Sequence, residues 1–242
     1  MKQRLDQVLA AQGLVASRSQ AESYIKLGQV TVNGRKATKP GQMVAPTDVL
    51  KVQVAHQYVS RAALKLASVA ERLHIQFKDK IMLDVGSSTG GFTQFALQQG
   101  AAKVLAVEVG TNQLHPSLRQ DLRIELHEKT DIRDFKTGQK IDLVVADVSF
   151  ISLRELLPSI KKLCNAQTDL VLMVKPQFEA AADNLKHKGV IKNDKIRREI
   201  LKNFETWVLQ HGFYVVDKAD SDVAGGKGNL ERFYHLKIAS IS

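Results

Sequence analysis

The sequence has a single cysteine, Cys164, among its 242 residues. That excludes an internal disulfide framework and a cysteine-based zinc cluster, and it points to a reducing compartment. No run of 18 apolar residues occurs; the unbroken apolar stretches, such as residues 170–174, have the length of a strand, so no transmembrane helix is expected. The first residues, Met1-Lys2-Gln3-Arg4-Leu5-Asp6, lack the apolar stretch of a secretory signal. A cytoplasmic protein with no membrane association is the expectation. The seven histidines show no close metal-ligand spacing, so no catalytic metal is expected. Acid is also scarce. Asp and Glu number 25 against 35 Lys and Arg, a net charge of +10, which favours polyanionic partners, either nucleic acid or an acidic surface. The remainder is ordinary: 44% hydrophobic and 25% charged residues exclude a collagen, a coiled coil and a disordered chain, and the length suits two domains.

The charge is unevenly spread. Residues 1–60 carry eight bases and three acids, so a net +5 falls in a quarter of the chain. Leu5, Val8 and Leu9 have helical spacing, and Gly13 ends that helix. Ser17-Arg18-Ser19-Gln20 reads as a capping box, with Gln20 reaching back to Ser17. Ala21, Tyr24 and Ile25 form an apolar stripe, Arg18, Glu22 and Lys26 fall on another face, and Gly28 stops the helix. Val30-Thr31-Val32-Asn33-Gly34-Arg35 reads as a strand entering a tight turn, with Arg35, Lys36 and Lys39 clustered after it. Arg4-Leu5-Asp6, Ser17-Arg18, Ala21, Ile25 and the run from Gly28 to Gly34 together resemble an S4 RNA-binding domain over residues 1–55. The resemblance implies that Arg4, Arg18, Lys26, Arg35, Lys36 and Lys39 face the phosphates of a structured RNA, contacts that position RNA without reading its sequence. Residues 56–60 read as a linker.

From Arg61 the pattern changes. A helix over 61–73 leads into apolar strands at 81–85, 104–107, 123–127, 141–146 and 170–174, separated by helices. Near-continuous apolar strands of this kind indicate a buried parallel sheet with helices on both faces. A helix is predicted over 194–210, with Ile196, Ile200, Phe204, Trp207 and Val208 as its apolar stripe. Strands at 213–217 and 233–238 follow as an antiparallel pair. Open α/β sheets bind ligands at the carboxyl ends of their strands. The first such end is Asp84-Val85-Gly86-Ser87-Ser88-Thr89-Gly90-Gly91-Phe92, a turn whose glycines admit a ligand close to the backbone. Ser88 breaks the dinucleotide fingerprint and no Gly-Lys-Ser/Thr follows, so a ligand carrying a carboxylate and a ribose fits better than a pyrophosphate. Glu108, ending the second strand, can accept bonds from two ribose hydroxyls. Lys65 lies in the first helix, Asp147 after the fourth strand, Lys175 after the fifth and Glu231 before the last, and three of the four project from one edge, alternating lysine and acid. Burial and neighbouring charge in such a cleft can tune a lysine for proton transfer.

Those four residues, in that order, resemble the Lys-Asp-Lys-Glu tetrad of the FtsJ-like methyltransferases. With the S4-like segment before it, nearly the whole chain resembles the TlyA (haemolysin A) family of ribosomal RNA cytidine 2′-O-methyltransferases. The resemblance implies an α/β fold: a Rossmann-like class I methyltransferase sheet over residues 61–242, preceded by a small α+β S4-like domain. It implies S-adenosylmethionine as cofactor. Asp84, Gly86, Ser87, Ser88, Thr89, Gly90, Gly91 and Phe92 would lie on its methionine side, Glu108 at its ribose, and Asp131 or Ile132 at its adenine. It implies ribosomal RNA in ribosomal subunits as partner, the large subunit above all, and no stable protein partner. Ala62-Ala63 stands where the family often has Gly-Gly, and Glu108 where Asp is common. The expected chemistry is in-line methyl transfer to a ribose 2′-oxygen, with Lys175 as general base and Lys65, Asp147 and Glu231 around it. The rival readings are a non-catalytic RNA-binding ribosome factor, a membrane-active haemolysin working through the helix near 195–210, and a pseudouridine synthase.

Overall fold

The computed structural model describes residues 2–15, 17–26, 28–53, 58–182, 189–191, 193–223, 225 and 228–239. The first elements are β1 (Gln3–Arg4), α1 (Leu5–Ala11), α2 (Arg18–Lys26), β2 (Val30–Val32), β3 (Arg35–Lys36), β4 (Met43–Val44) and β5 (Leu50–Val52). α1 and α2 bury Leu5, Leu9, Ala21, Tyr24 and Ile25 against Val30 and Val32 of a small antiparallel sheet ordered β3-β2-β5. The Ser17 hydroxyl accepts Gln20 N–H at 3.2 Å, as the capping box requires. The Gln20 carboxamide nitrogen donates to Tyr58 O at 2.9 Å, tying α2 to the start of the second region. Part of the expected linker, residues 56 and 57, lies outside the described residues.

α3 (Arg61–Ala70) opens the second region, followed by β6 (Ile81–Val85), α4 (Gly91–Gln98), β7 (Lys103–Val107), a short turn of 3-10 helix at Pro116–Leu118, β8 (Ile124–His127), β9 (Leu143–Ala146), α5 (Leu153–Lys162), β10 (Asp169–Val174), α6 (Pro176–Ala182), α7 (Asp194–Gln210), β11 (Phe213–Asp220) and β12 (Arg232–Ile238). The strands form one seven-stranded sheet, ordered β8-β7-β6-β9-β10-β12-β11. The five strands from β8 to β10 are joined by four parallel pairings; β12 runs antiparallel to both β10 and β11. Strand order reverses between β6 and β9, which opens a crevice at their carboxyl ends. Both faces are covered: one cluster packs α5 and α7 on the sheet, the other α3 and α4.

The helix over 194–210 falls where its periodicity puts it. Its buried side chains are Arg197, Ile200, Leu201, Phe204 and Val208, whereas Ile196, expected on the stripe, is 39% exposed. The apolar face is thus a core face packed on the sheet, which leaves no membrane-binding stripe. Among the described residues no helix is long and apolar enough to cross a membrane. Leu64 of α3 turns away from the sheet and is buried with Leu5, Leu9, Tyr24 and Ile25 in the core of the N-terminal region, joined there by Val223 from the loop between β11 and β12.

Candidate active site

The turn after β6 forms the floor of the site. Gly86 has φ +78°, and a Cβ there would lie 3.1 Å from Asp147 O, so only glycine lets this turn pass beneath the end of β9. A Cβ on Gly91 would stand 2.3 Å from the Ser60 hydroxyl, which brings the entry of α3 directly over the turn. Gly90 caps α4, Thr89 is exposed, and Phe92 is buried against Phe233. A cavity of about 240 Å³ is enclosed by Ser60, Arg61, Lys65, Asp84, Ser87, Phe92 and Asp147 among others. Among the described residues, Ser60 Oγ, Ser87 Oγ and Asp84 Oδ1 are buried there with neither a hydrogen-bond nor an ion-pair partner. Such orphans are costly unless a ligand satisfies them. The other Asp84 oxygen accepts Thr93 Oγ1–H at 2.6 Å. Burial pushes the Asp84 carboxyl up to about 7, and the negative charges of Asp147 and Glu108 add to this, against the Thr93 hydrogen bond.

A second cavity, about 520 Å³, continues from the first along the ends of β6, β7 and β9. Ser88, Glu108, Val109, Asp131, Ile132, Ile151 and Leu156 line it. Glu108 is clamped in place: its oxygens accept Ser88 N–H at 2.9 Å and Gly110 N–H at 2.7 Å. Asp131 lies at the rim, but its carboxylate is turned to Arg133, whose backbone N–H and guanidinium all donate to it, and that pairing holds it below the usual carboxylate range. Of the two candidates at this end, Ile132 supplies the apolar wall.

The four tetrad candidates form two ion pairs. Lys175 Nζ lies 2.6 Å from Asp147 Oδ1, and Lys65 Nζ lies 2.6 Å from Glu231 Oε2. Asp147 and Lys175 leave neighbouring parallel strands at the same edge. Glu231 arrives there because β12 is antiparallel, with Arg232 opposite Val174. A third cavity, about 400 Å³, has Lys65, Ser149, Phe150, Lys175, Gln177, Phe178 and Glu231 in its wall. The tetrad therefore stands between the cofactor-sized crevice and this third space.

Several residues of the site were missed at the level of sequence. Ser149 accepts a hydrogen bond from Lys175 Nζ at 2.8 Å. Phe150 is 92% exposed, has φ +68°, and its ring centroid sits 5.4 Å from that of Phe178. Gln177 Oε1 is buried and unpartnered among the described residues. Ser149 and Phe150 follow Asp147 in the chain, a position that could have flagged them. Nothing local signals an exposed aromatic in a left-handed conformation.

The basic candidates of the N-terminal region divide. Lys26, Arg35, Lys36 and Lys39 are exposed, and none pairs with an acid among the described residues. Arg4 and Arg18 instead converge on Asp6, which is fully buried. Arg4 donates to it at 3.0 and 2.9 Å and Arg18 at 2.8 Å, and these bonds, that of Arg4 foremost, hold Asp6 down to about 2. Both guanidinium groups remain about half exposed, so they present an oriented edge to solvent.

Comparison with known proteins agrees with this geometry. Residues 3–50 match the S4 domain family, and residues 58–238 match the FtsJ-like methyltransferase family. The Campylobacter jejuni 23S rRNA (cytidine-2'-O)-methyltransferase TlyA is 41% identical, over 90% of this chain and 93% of that protein. The Mycobacterium tuberculosis 16S/23S rRNA (cytidine-2'-O)-methyltransferase TlyA is 37% identical, over 97% of this chain and 89% of that protein. A solved structure of a Streptococcus thermophilus protein named a hemolysin superposes with a TM-score of 0.73 at 36% identity, covering 99% of this chain and 89% of that one. With an S4 domain and an FtsJ-like methyltransferase domain in one chain, and this identity along nearly its full length, the chain belongs to the TlyA family of methyltransferases.

Proposed function

We propose that this protein methylates the 2′-hydroxyl of a cytidine ribose in ribosomal RNA, that of the large subunit, with S-adenosylmethionine as donor and Lys175 as general base. The observation that carries this reading is the placement of two lysine–carboxylate pairs between a crevice lined by orphaned polar atoms and a cavity roofed by an exposed phenylalanine. The crevice fits the cofactor. Asp84, Ser60 and Ser87 suit its methionine ammonium and carboxylate, Glu108 its ribose hydroxyls, and Ile132, Ile151 and Leu156 an adenine face. When bound there, the cofactor supplies an electrophilic methyl group, so little else is needed beyond aiming and activating the hydroxyl.

Lys175 Nζ takes the 2′-hydroxyl proton and must be unprotonated to do so. Asp147 and Ser149 hold that nitrogen at the junction of the cavities and stabilise the ammonium it becomes. The Lys65–Glu231 pair orients the ribose from the opposite wall. Phe150 offers a stacking surface for a base swung out of its helix, as a 2′-oxygen in folded RNA is hard to approach in line. Lys26, Arg35, Lys36 and Lys39, with the outer edges of Arg4 and Arg18, meet the phosphates. The family name of the Campylobacter relative carries 23S rRNA and that of the Mycobacterium relative both 16S and 23S, which supports ribosomal RNA as the substrate class. The boundaries proposed are an S4-like domain over 1–55 and a methyltransferase domain over 61–242, acting in the cytoplasm.

The test uses purified protein, labelled S-adenosylmethionine, and separately isolated unmodified 30S and 50S subunits, with the product mapped by nuclease-resistant 2′-O-methylation. Label at a cytidine ribose of the 50S subunit is expected. Label only in the 30S subunit overturns the choice of subunit, and no transfer to either subunit overturns the reading of the cleft as a ribosomal RNA 2′-O-methylation site.

A further inference from the structure

Glu179 is a buried carboxylate that the proposed chemistry leaves unused. It is 1% exposed and lies in α6, one helical turn after Lys175. Its Oε2 accepts the Ser152 hydroxyl at 2.6 Å, its Oε1 accepts Leu153 N–H at 2.8 Å, and Arg154 Nε stands 3.4 Å from Oε2. These partners form the start of α5, where the segment 147–152 ends. A carboxylate is expensive to bury unless paired and hydrogen-bonded. Its presence here therefore buttresses a particular arrangement of backbone.

The segment 147–152 carries Asp147, Ser149 and Phe150, and it is fastened to the segment 175–179 at three places. Lys175 Nζ holds Asp147 and Ser149, the Phe178 ring meets Phe150, and Glu179 holds Ser152 and Leu153. Between the first and last fastenings Phe150 sits at φ +68°. A bulky side chain in that region is strained and persists only where its surroundings over-determine the backbone. The contact with Phe178 alone is a weak anchor, because Phe150 stays 92% exposed. The clamp at Ser152–Leu153 can.

We infer that Glu179 is a positioning residue for methyl transfer: by clamping the start of α5 to α6, its carboxylate fixes Phe150, and so the seat of the target base, relative to Lys175. This rests on the reading of the cleft as a 2′-O-methylation site. Misplacing a reacting group by about 1 Å costs on the order of a hundredfold in rate.

The experiment compares full-length wild type with Glu179→Ala, Glu179→Gln and Ser152→Ala. It measures methylation of isolated 30S and 50S subunits, S-adenosylhomocysteine binding by calorimetry, and folding by circular dichroism. Glu179→Ala is expected to lower kcat by about a hundredfold while the cofactor-product Kd stays within about twofold. Glu179→Gln, whose carboxamide can still accept Leu153 N–H and donate to Ser152 Oγ, is expected to recover most of that loss. If Glu179→Ala does not fold, Ser152→Ala decides, with a severalfold loss of kcat at unchanged Kd expected. Unchanged kcat in the folded variants overturns the inference, as does a parallel loss of cofactor-product binding and kcat, which marks a merely structural role. If the wild type labels neither subunit, the reading of the cleft fails and the inference with it; if wild type and variants label equally, only the inference fails.

Discussion

The two ion pairs of the cleft are alike in chemistry and length, yet they are held in different ways. Lys175 and Asp147 leave adjacent parallel strands, so the register of β9 and β10 brings them together, and Ser149 adds a third contact. Lys65 and Glu231 come from a helix before the sheet and a loop near the far end of the chain. Lys65 follows Leu64, which is buried in the core of the S4 domain, whereas Glu231 is placed by the register of β12 on β10. One pair is thus a product of sheet geometry alone, and the other joins sheet geometry to domain packing. Substitutions in the S4 core should reach the second pair and spare the first.

The strongest way to break the comparison is Lys175→Ala. It should lower methyl transfer by about a thousandfold or more, with cofactor binding nearly unchanged, as loss of a general base predicts. Methylation that survives with normal cofactor binding removes Lys175 from the role of base.

Leu64→Ala sharpens the contrast. Emptying a buried leucine site costs about 3 kcal/mol of stability, measured by denaturant unfolding. Its effect on rate should be strongly non-additive with Lys65→Ala and close to additive with Ser149→Ala in double-mutant cycles. Equal coupling to both would show that the pairs are not separately held.

Asp6→Asn probes the S4 side of the same packing. The depressed Asp6 pKa stabilises the fold above the unfolded carboxylate value near 4, and this contribution is lost as pH falls toward about 2. The substitution should cost about 2 kcal/mol at pH 7 and flatten the acid limb of a stability profile. An unchanged acid limb would show that the Arg4 and Arg18 bonds contribute nothing net.

The cofactor crevice should respond to pH by about a decade. Asp84, at about 7, is protonated below neutrality in the free protein. A ligand ammonium favours the carboxylate, so the Kd for S-adenosylhomocysteine should rise about tenfold from pH 8 to pH 6, and Asp84→Asn should abolish the slope. A flat profile in the wild type places the ligand cation elsewhere. Smallest of all is Ser149→Ala, for which a severalfold fall in kcat at constant KM is expected, because one neutral hydrogen bond to Lys175 is lost.

Much of this architecture is legible in the sequence because it follows from local pattern. Apolar runs of strand length, the glycines after Asp84, and the period of the helix over 194–210 each describe a residue's immediate surroundings. The terminal hairpin also reads correctly, since no long helix separates its strands. Three of the four tetrad positions could be placed at one edge, although the division of the four into two separate pairs could not. Ile196 shows the limit of periodicity: it fits the stripe, yet the stripe is rotated toward Leu201 by what the helix packs on.

Other features depend on residues far apart in the chain. Arg18 looks free until it turns to Asp6, twelve residues away, and the Gln20 carboxamide nitrogen finds Tyr58 O, 38 residues on, at 2.9 Å. Nothing in the sequence marks Phe150, and only the assembled cleft leaves it in solvent with its backbone at positive φ. Periodicity and turn chemistry are set by backbone sterics and hydrophobic burial over a few residues, so residue order suffices to determine most of the helices and strands and the sheet they build. Which charge meets which, and which side of α3 enters the S4 core, are decided by small free-energy differences among competing long-range contacts, and those exist only once the chain has folded.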